Sequence, residues 1–224
     1  MNRHAPPLTE TATRRADGAA TRALLLDAAG LVIAEKGVER ATGKEIAERA
    51  GASSNAINYH FGGMEGLHTE VLLAAHENLA SFDVLSDILE GGGSAEDKMR
   101  QFIRLVVSAT FVPQGHDWAL PVLTRELVSP TPAGNALREC QLLPKKQIIE
   151  QIVAQAVGRP PEDPLVHRAS FSVFASIVML LISSHESRAQ FFPHIGEGAE
   201  AVEPMTDHVH RFVMGGLAAI RQDG

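Results

Sequence analysis

The sequence predicts an all-α fold, and three observations carry this prediction. Apolar residues recur at the three- and four-residue spacing of one-faced helices along most of the chain. The alternation of apolar and polar residues that is typical of strands is not convincing anywhere, and clusters of Gly and Pro separate the periodic segments. Because 45% of the 224 residues are hydrophobic, the chain can also bury a substantial helical core.

The first predicted helix covers about residues 21–36. Leu25, Ala28 and Val32 lie on one helical face, and Gly37 ends the segment. The preceding residues 1–18 are polar, contain Pro and Arg, and have no apolar run of signal-peptide length. We therefore expect 1–18 to be a flexible arm.

Two short helices follow. Thr42 offers an N-cap hydroxyl with Glu45 three residues later, and Gly51 ends that helix. Either Ser53 or Ser54 then caps a third helix, whose buried side carries Ile57. The opposite side of this helix is polar, and it presents Asn55, Asn58 and Tyr59.

The remainder of the chain continues as helices. A longer helix begins at Met64, and the glycine run at Gly91 marks a loop after it. Further apolar-periodic segments are predicted at about 96–111, 117–128, 133–157, 163–187 and 203–221.

A short helix, a tight turn and a second short helix with outward polar residues suit a reader of the DNA major groove. The amides of Asn55 and Asn58 can donate and accept hydrogen bonds, as the edge of adenine requires. Tyr59 and Thr42 can bond phosphate oxygens, and Lys44 adds a cation. By spacing alone, a structural three-helix unit with a solvated polar face fits equally well.

The segment ATGKEIAERAGASSNAINYHFGGMEGL resembles the DNA-binding domain of TetR/AcrR-family transcriptional regulators. The match has no gap, and the INYHFGG and AAHENL segments are similar to the CecR-like subgroup. The matching positions are Thr42, Ile46, Ala47, Ala50, Gly51, Ser53, Ile57, His60, Phe61, Glu65 and Leu67.

The resemblance implies a helix-turn-helix DNA-binding domain at 19–67 and a larger helical ligand-binding and dimerisation domain at 68–224. Two positions depart from the family pattern, since Asn58 replaces a Tyr and Met64 replaces a Lys. We therefore expect fewer ionic contacts than the family norm. Arg14, Arg15 and Arg22, in or near the arm, are candidates to replace them, and the alternative is that the arm is an unfolded solubilising tail. The expected DNA-binding residues are Thr42, Lys44, Ser53, Ser54, Asn55, Asn58, Tyr59 and His60.

The C-terminal segments predict a homodimer. Residues 164–187 are apolar on almost every side, as in a helix buried between a core and a partner. Gly215 and Gly216 permit close approach in the last helix, whose apolar stripe should complete a two-fold bundle. That stripe comprises Met205, Val209, Phe212, Val213, Leu217 and Ile220.

Aromatic residues in the middle of helices, with a few polar groups, indicate the ligand pocket, although ordinary core packing is the competing interpretation for each. Trp118 is the best single candidate, and Arg125 would favour an anionic or carbonyl ligand. The expected pocket residues are Phe102, Phe111, Trp118, Arg125, Phe174, Met179 and His185.

Several classes of function are not expected. The net charge of −7 argues against a sequence-independent nucleic-acid coat, and no apolar run reaches the length of a membrane span. Ser184, His185 and Glu186 are consecutive and cannot form a catalytic triad on a helix, and no His spacing predicts a metal site.

The sequence thus predicts a cytoplasmic, non-enzymatic repressor without a cofactor. It would bind double-stranded operator DNA as a homodimer and leave a palindromic operator when a small molecule binds. The alternative is a helical module that binds a protein partner and no DNA.

Overall fold

The computed structural model describes residues 8–112, 115 and 117–222, and within these ranges every regular element is helical. A 3₁₀ turn at Val38–Arg40 and a π-bulge at Arg138–Leu142 interrupt the α-helices. The helices are α1 (Leu8–Lys36), α2 (Gly43–Arg49), α3 (Ser54–Phe61), α4 (Met64–Leu79), α5 (Phe82–Glu90), α6 (Ala95–Phe111), α7 (Ala119–Val128), α8 (Gly134–Leu137), α9 (Leu143–Val157), α10 (Pro164–Ile182), α11 (His185–Phe191) and α12 (Gly198–Gln222). The prediction of an all-α fold is confirmed.

Helix α1 begins earlier than expected. It starts at Leu8, so residues 8–18 are helical where the sequence predicted a flexible arm. This stretch is rich in Ala, Arg and Thr, and a single Gly18 is not enough to end a helix that is already propagating. The part of the expected arm at 1–7 lies outside the described residues.

Serine caps divide two segments that the sequence predicted as single helices. The hydroxyl of Ser81 accepts a hydrogen bond from the amide of Val84 at 3.1 Å, which starts α5 as a separate helix. The hydroxyl of Ser184 likewise accepts from the amide of Ser187 at 3.1 Å, so α11 is separate from α10. Such local side-chain bonds compete with the helical ladder and favour a new start.

The buried apolar residues form two clusters. The first cluster unites α1–α4 with α7 and α8, and the second unites α5, α6, α9, α10 and α12. Helix α4 supplies Leu67, Val71, Leu72 and Ala75 to the first cluster, and its last turn reaches the second through Leu79. The two clusters are therefore joined through a rigid helix.

Trp118 is part of the first cluster, where it joins α1 to the start of α7, and it lines none of the cavities in the C-terminal part. The side chain is 3% exposed, and its Nε1–H donates to Oδ1 of Asp27 at 2.7 Å. A Cβ atom at Gly30 would lie 2.2 Å from the indole ring, so the glycine is what lets α1 approach α7 so closely. The structure thus places Trp118 in the core that links α1 to α7, whereas the sequence suggested a ligand pocket.

Candidate nucleic-acid interface and ligand cavity

Helices α2 and α3 form the predicted helix-turn-helix. The Thr42 hydroxyl accepts a hydrogen bond from the amide of Glu45 at 3.3 Å and so caps α2. The turn contains Gly51 with a φ of 63°, a left-handed conformation that glycine adopts without strain. Ile46 and Ile57 are buried against each other's helices, which fixes which side of α3 faces outward.

The outward side of α3 carries the residues that the sequence selected. Ser54, Asn55, Asn58 and Tyr59 are exposed, and the Tyr59 side chain is 84% exposed. A large aromatic side chain with that exposure gains nothing from the core of its own chain. Ser53 occupies the N-cap position of α3, and its side chain makes no capping hydrogen bond, so its hydroxyl remains available.

Two further predicted residues flank α2. The capping bond of Thr42 uses the hydroxyl oxygen as an acceptor, which leaves the hydroxyl hydrogen free to donate to a phosphate. Lys44 is exposed, and its Nζ lies 3.8 Å from Oε1 of Glu48. A surface pair at this distance contributes little stability, so Lys44 can turn to a phosphate at low cost.

His60 and Arg22 differ from the other predicted contacts because they are engaged within the chain. His60 is half-buried between Tyr59, whose ring centroid is 4.8 Å away, and the backbone of α1 at Gly18. Arg22 donates to Oε2 of Glu70 at 2.7 Å, and its guanidinium lies over the Phe61 ring. Arg14 and Arg15 belong to α1, but their side chains lie outside the described part.

Met64, the position where the family pattern has a lysine, has a packing role. It is half-buried, and its Sδ would lie 3.4 Å from a Cβ at Gly43. The thioether therefore fills the space between the start of α4 and the start of α2. The family pattern shows that position 64 has lost a cation, whereas the packing contact of Met64 is visible only in the structure.

Arg40 is a cation near the interface that the sequence analysis did not select. It ends the 3₁₀ turn two residues before Thr42, is exposed, and has no ion-pair partner among the described residues. By contrast, Arg49 is paired with Glu35 at 2.7 Å, and Lys36 is paired with Glu45. The position of Arg40, two residues before the N-cap residue Thr42, was the available signal in the sequence.

An apolar cavity of about 340 Å³ lies inside the C-terminal part, between α4 and the helices that follow it. Phe102 and Phe174, both predicted pocket residues, line it together with Ile149 and Ile177. Helices α4 and α7 contribute to the wall of this cavity and also to the cluster that holds the helix-turn-helix. Its volume and lining are typical of a site for a small organic ligand.

A polar group interrupts the apolar wall. Nζ of Lys145 on α9 donates to Oε2 of Glu77 at 2.8 Å and lies 3.2 Å from Nδ1 of His76, both on α4. Burial lowers the pKa of His76 to about 4, and the neighbouring Lys145 charge acts in the same direction, so the imidazole is neutral at pH 7.

The two ends of the Lys145–Glu77 pair respond to burial differently. Desolvation lowers the pKa of Lys145, which is 4% exposed, and this effect outweighs its pairing with the carboxylate. At Glu77, burial acts to raise the pKa, but the hydrogen bond and charge of Lys145 outweigh it and hold the pKa below its ordinary value. The pair is thus a charged link between α4 and α9, nearly buried at one end and half-exposed at the other.

The other predicted pocket residues do not converge on this cavity. Phe111 and His185 line a second cavity of about 300 Å³, where the guanidinium of Arg188 lies 5.0 Å from the centre of the Phe111 ring. Arg125 is exposed and donates to the backbone oxygen of Ala34 at 3.3 Å. Met179 is exposed on α10, outside both cavities. Helical spacing alone could not show that these residues divide among the apolar cavity, the second cavity and the two separate exposed positions of Arg125 and Met179.

Helices α10 and α12 expose apolar side chains. Phe171 and Met179 on α10 and Phe212 on α12 point away from the core, and the two phenylalanines are 75% and 68% exposed. Gly215 and Gly216 are exposed next to Phe212, with nothing within 4 Å of a Cβ at either position. The stripe predicted as the dimer face is wrong in part, because Met205, Val209, Val213 and Leu217 are buried in the core of the same chain.

Helix α10 is also long and apolar enough to cross a membrane by length and composition, with a mean hydropathy of 1.9. It is the one such helix in the described ranges. A helix that is covered on several sides in a soluble protein has the same composition, so the property alone is weak support for a span.

The histidines do not gather into a metal site within the part that the structure describes, where no three His, Cys, Asp or Glu side chains converge. His185 bonds Glu197 at 2.5 Å, and His210 bonds the backbone oxygen of Glu96 at 3.2 Å.

Two family models match the chain, and together they span most of it. The model described as "Bacterial regulatory proteins, tetR family" matches residues 25–71. The model described as "HTH-type transcriptional dual regulator CecR, C-terminal domain" matches residues 95–217, more than half of the chain. No curated protein matches the chain significantly.

Solved structures with the same fold include three regulators. PfmR of Thermus thermophilus, a TetR-family transcriptional regulator, has a TM-score of 0.62 and 19% identity over 85% of this chain and 96% of its own. FadR of Bacillus subtilis, solved in complex with stearoyl-CoA, has a TM-score of 0.66 and 19% identity over 86% and 97%. The fatty acid degradation regulator FadR of Bacillus halodurans has a TM-score of 0.65 and 17% identity over 86% and 97%. At these identities the likeness concerns the fold.

Proposed function

Because the chain belongs to the TetR family of transcriptional regulators and carries a CecR-type C-terminal domain, we propose that it is a homodimeric repressor that a small molecule releases from a palindromic operator. The observation that carries this proposal is the polar, solvent-exposed side of α3 on a helix-turn-helix that shares its core with the walls of an apolar cavity.

In the DNA complex, α3 enters the major groove. Asn55 and Asn58 bond base edges, since each amide offers a donor and an acceptor to adenine. Tyr59, Thr42 and Lys44 bond phosphates and set the register. Ser53 and Ser54, at the start of α3, approach the backbone, and His60 acts indirectly by supporting the Tyr59 ring.

Dimerisation uses the exposed apolar faces of α10 and α12. Phe171, Met179 and Phe212 would leave water on association, and Gly215 and Gly216 allow the helices of two copies to approach closely. A two-fold dimer places two recognition helices about 34 Å apart, one DNA turn, and so reads a palindrome. This use of α10 also accounts for its apolar character, and the regulator we propose is cytoplasmic and has no catalytic role.

Ligand release follows from the shared helices. Helix α4 carries Val71 and Leu72 in the core of the DNA-binding domain, and His76 and Leu79 on the cavity wall. A ligand that shifts α4 therefore changes the distance between the two DNA-binding domains of the dimer. A coupling of about 1–3 kcal/mol is enough to weaken operator binding about 5- to 150-fold.

The test is DNA binding by the purified dimer, first by selection of genomic fragments and then by a footprint upstream of its own gene. We expect a protected palindrome, with Asn55→Ala and Tyr59→Ala each losing affinity at unchanged melting temperature and dimer mass. Gln147→Ala, which removes an exposed amide on α9, is the matched control. A folded dimer that shows no sequence preference would support the alternative protein-partner module.

Lys44→Ala separates phosphate contacts from base contacts. It should weaken binding to all sequences equally and reduce the slope of log K against log salt by about 1 for each chain that loses a contact. An unchanged salt slope would remove Lys44 from the interface.

A further inference from the structure

The most buried charged side chain that lines the apolar cavity is that of Lys145, which links α9 to α4. Lys145 is almost fully buried, yet its Nζ has a single carboxylate partner, Glu77 at 2.8 Å, together with Nδ1 of His76 at 3.2 Å. His76 and Lys145 both line the cavity, whereas Glu77 lies behind them and is half-exposed to solvent. From inside the cavity a ligand therefore meets the lysine and the imidazole.

The chemistry presented to the cavity is that of hydrogen-bond donors. The neutral His76 ring accepts a hydrogen from Lys145 at Nδ1, so its own proton resides on Nε2, which has no hydrogen-bond partner among the described residues. The lysine ammonium has three hydrogens, and its two protein partners use two of them. One N–H of each residue thus remains to be satisfied.

The polar lining residues offer hydrogen-bond donors rather than free acceptors. Arg138 and Lys145 line the cavity, as does Lys146, which is paired with Glu150, and Glu126 is the one carboxylate among the lining residues that the structure describes. Both Glu126 oxygens already accept hydrogen bonds from Thr131, at 2.8 and 2.9 Å. Apart from these residues and His76, the wall is apolar, with Leu, Ile, Val, Phe, Ala and Pro side chains and Gly134.

We propose that the effector is an apolar molecule ending in a carboxylate or a similar small anionic group, bound with its head group on Lys145 and His76 and its body among the apolar side chains. The inference rests on the proposed function, because it takes this cavity as the effector site. Bound to the free N–H of Lys145, the anion shares the ammonium charge with Glu77 and so weakens the Glu77–Lys145 bond. Since the Glu77–Lys145 bond joins α4 to α9, an occupied cavity weakens the link that fixes the end of α4, and the helix-turn-helix moves with it.

Calorimetric titration of the purified dimer with three probes of equal chain length tests the head group. The probes are decanoate and decylamine, each below its micelle concentration, and decan-1-ol below its solubility limit. We expect decanoate to bind at least about tenfold more tightly than decan-1-ol, as a charge-assisted hydrogen bond warrants, and decylamine to bind most weakly.

Two variants test the residues. Lys145→Met should abolish the preference for decanoate, whereas Lys98→Met should retain it. Lys98 is a matched control because it is also buried but donates to the backbone oxygen of Leu89, away from the cavity. Glu77→Gln removes the competing carboxylate and should strengthen decanoate binding about three- to tenfold, and it keeps the proposal testable if Lys145→Met does not fold.

Equal binding of decanoate and decan-1-ol, a preference for decylamine, or no binding of any probe would each overturn the inference, as would a Glu77→Gln dimer with unchanged decanoate affinity. Operator binding without any probe, measured on the same preparation, tests the proposed function separately. A dimer that footprints a palindrome but ignores the head group keeps its role as a regulator and loses only this effector class.

Discussion

Gly30→Ala is predicted to destabilise the protein, although alanine is the better helix former. In the middle of a helix this change by itself stabilises by about 1 kcal/mol. Here the new Cβ would lie 2.2–2.6 Å from three ring atoms of Trp118, whereas carbon atoms in contact prefer ~3.5–4.0 Å. The ring cannot retreat easily, because it is buried and its Nε1 donates to Asp27 at 2.7 Å.

Overpacking typically costs about 1–3 kcal/mol, and a contact as short as 2.2 Å belongs to the upper part of this range, about 2–3 kcal/mol, so the net destabilisation should be about 1–2 kcal/mol. For a chain of this size that corresponds to a decrease in melting temperature of roughly 2–8 °C, compared at one protomer concentration. Urea unfolding of the same samples gives the free energy directly.

The sign of the effect provides the decisive test. In a Trp118→Leu background the ring is absent, so Gly30→Ala should become stabilising by about 1 kcal/mol. Gly18→Ala is the control in the same helix, because its Cβ would meet only the edge of His60 at 4.0 Å, an ordinary contact. If Gly30→Ala stabilises the protein in both backgrounds, Trp118 does not pack on α1 as described.

Three further predictions concern other parts of the molecule. The pKa of His76 is about 4 in the folded chain against an ordinary 6.5, so between these pH values the unfolded chain binds a proton that the folded chain does not. The free energy of unfolding should therefore decrease by about 3 kcal/mol as the pH falls from above 6.5 to 4. His76→Gln should flatten this part of the pH profile, measured by urea unfolding. Gly66→Ala would place a Cβ atom 1.9 Å from the backbone oxygen of Phe61, so the melting temperature and the operator affinity should both decrease. A variant as stable as the parent would contradict the described packing of α3 against α4. Phe171→Glu should shift the dimer toward monomer in light scattering, with helicity retained, whereas an unchanged mass would exclude this face of α10 as the interface.

The exposed polar side of α3 could be predicted from the sequence because it depends on local signals. Thr42 before α2, Gly51 in the turn and the spacing of Ile46 and Ile57 determine which side of each short helix is buried. Once that side is fixed, the exposure of Asn55 and Tyr59 follows from helical geometry alone. The family resemblance then indicated a DNA-binding function for this helix-turn-helix. The helical segments along the rest of the chain were predicted from apolar periodicity in the same way.

The ligand cavity depended on contacts between residues that are far apart in the chain. Phe102 and Phe174 line it, but Trp118 has the same helical periodicity and belongs to the core between α1 and α7. Lys145 and Glu77 meet across 68 positions, and no spacing rule connects them. The sequence by itself determined the helical class, where α2 and α3 begin and which faces are apolar, but not the starts of α1, α5 and α11. Only the tertiary structure decided which apolar faces meet each other and which remain exposed, because helical periodicity specifies a buried face without specifying what covers it.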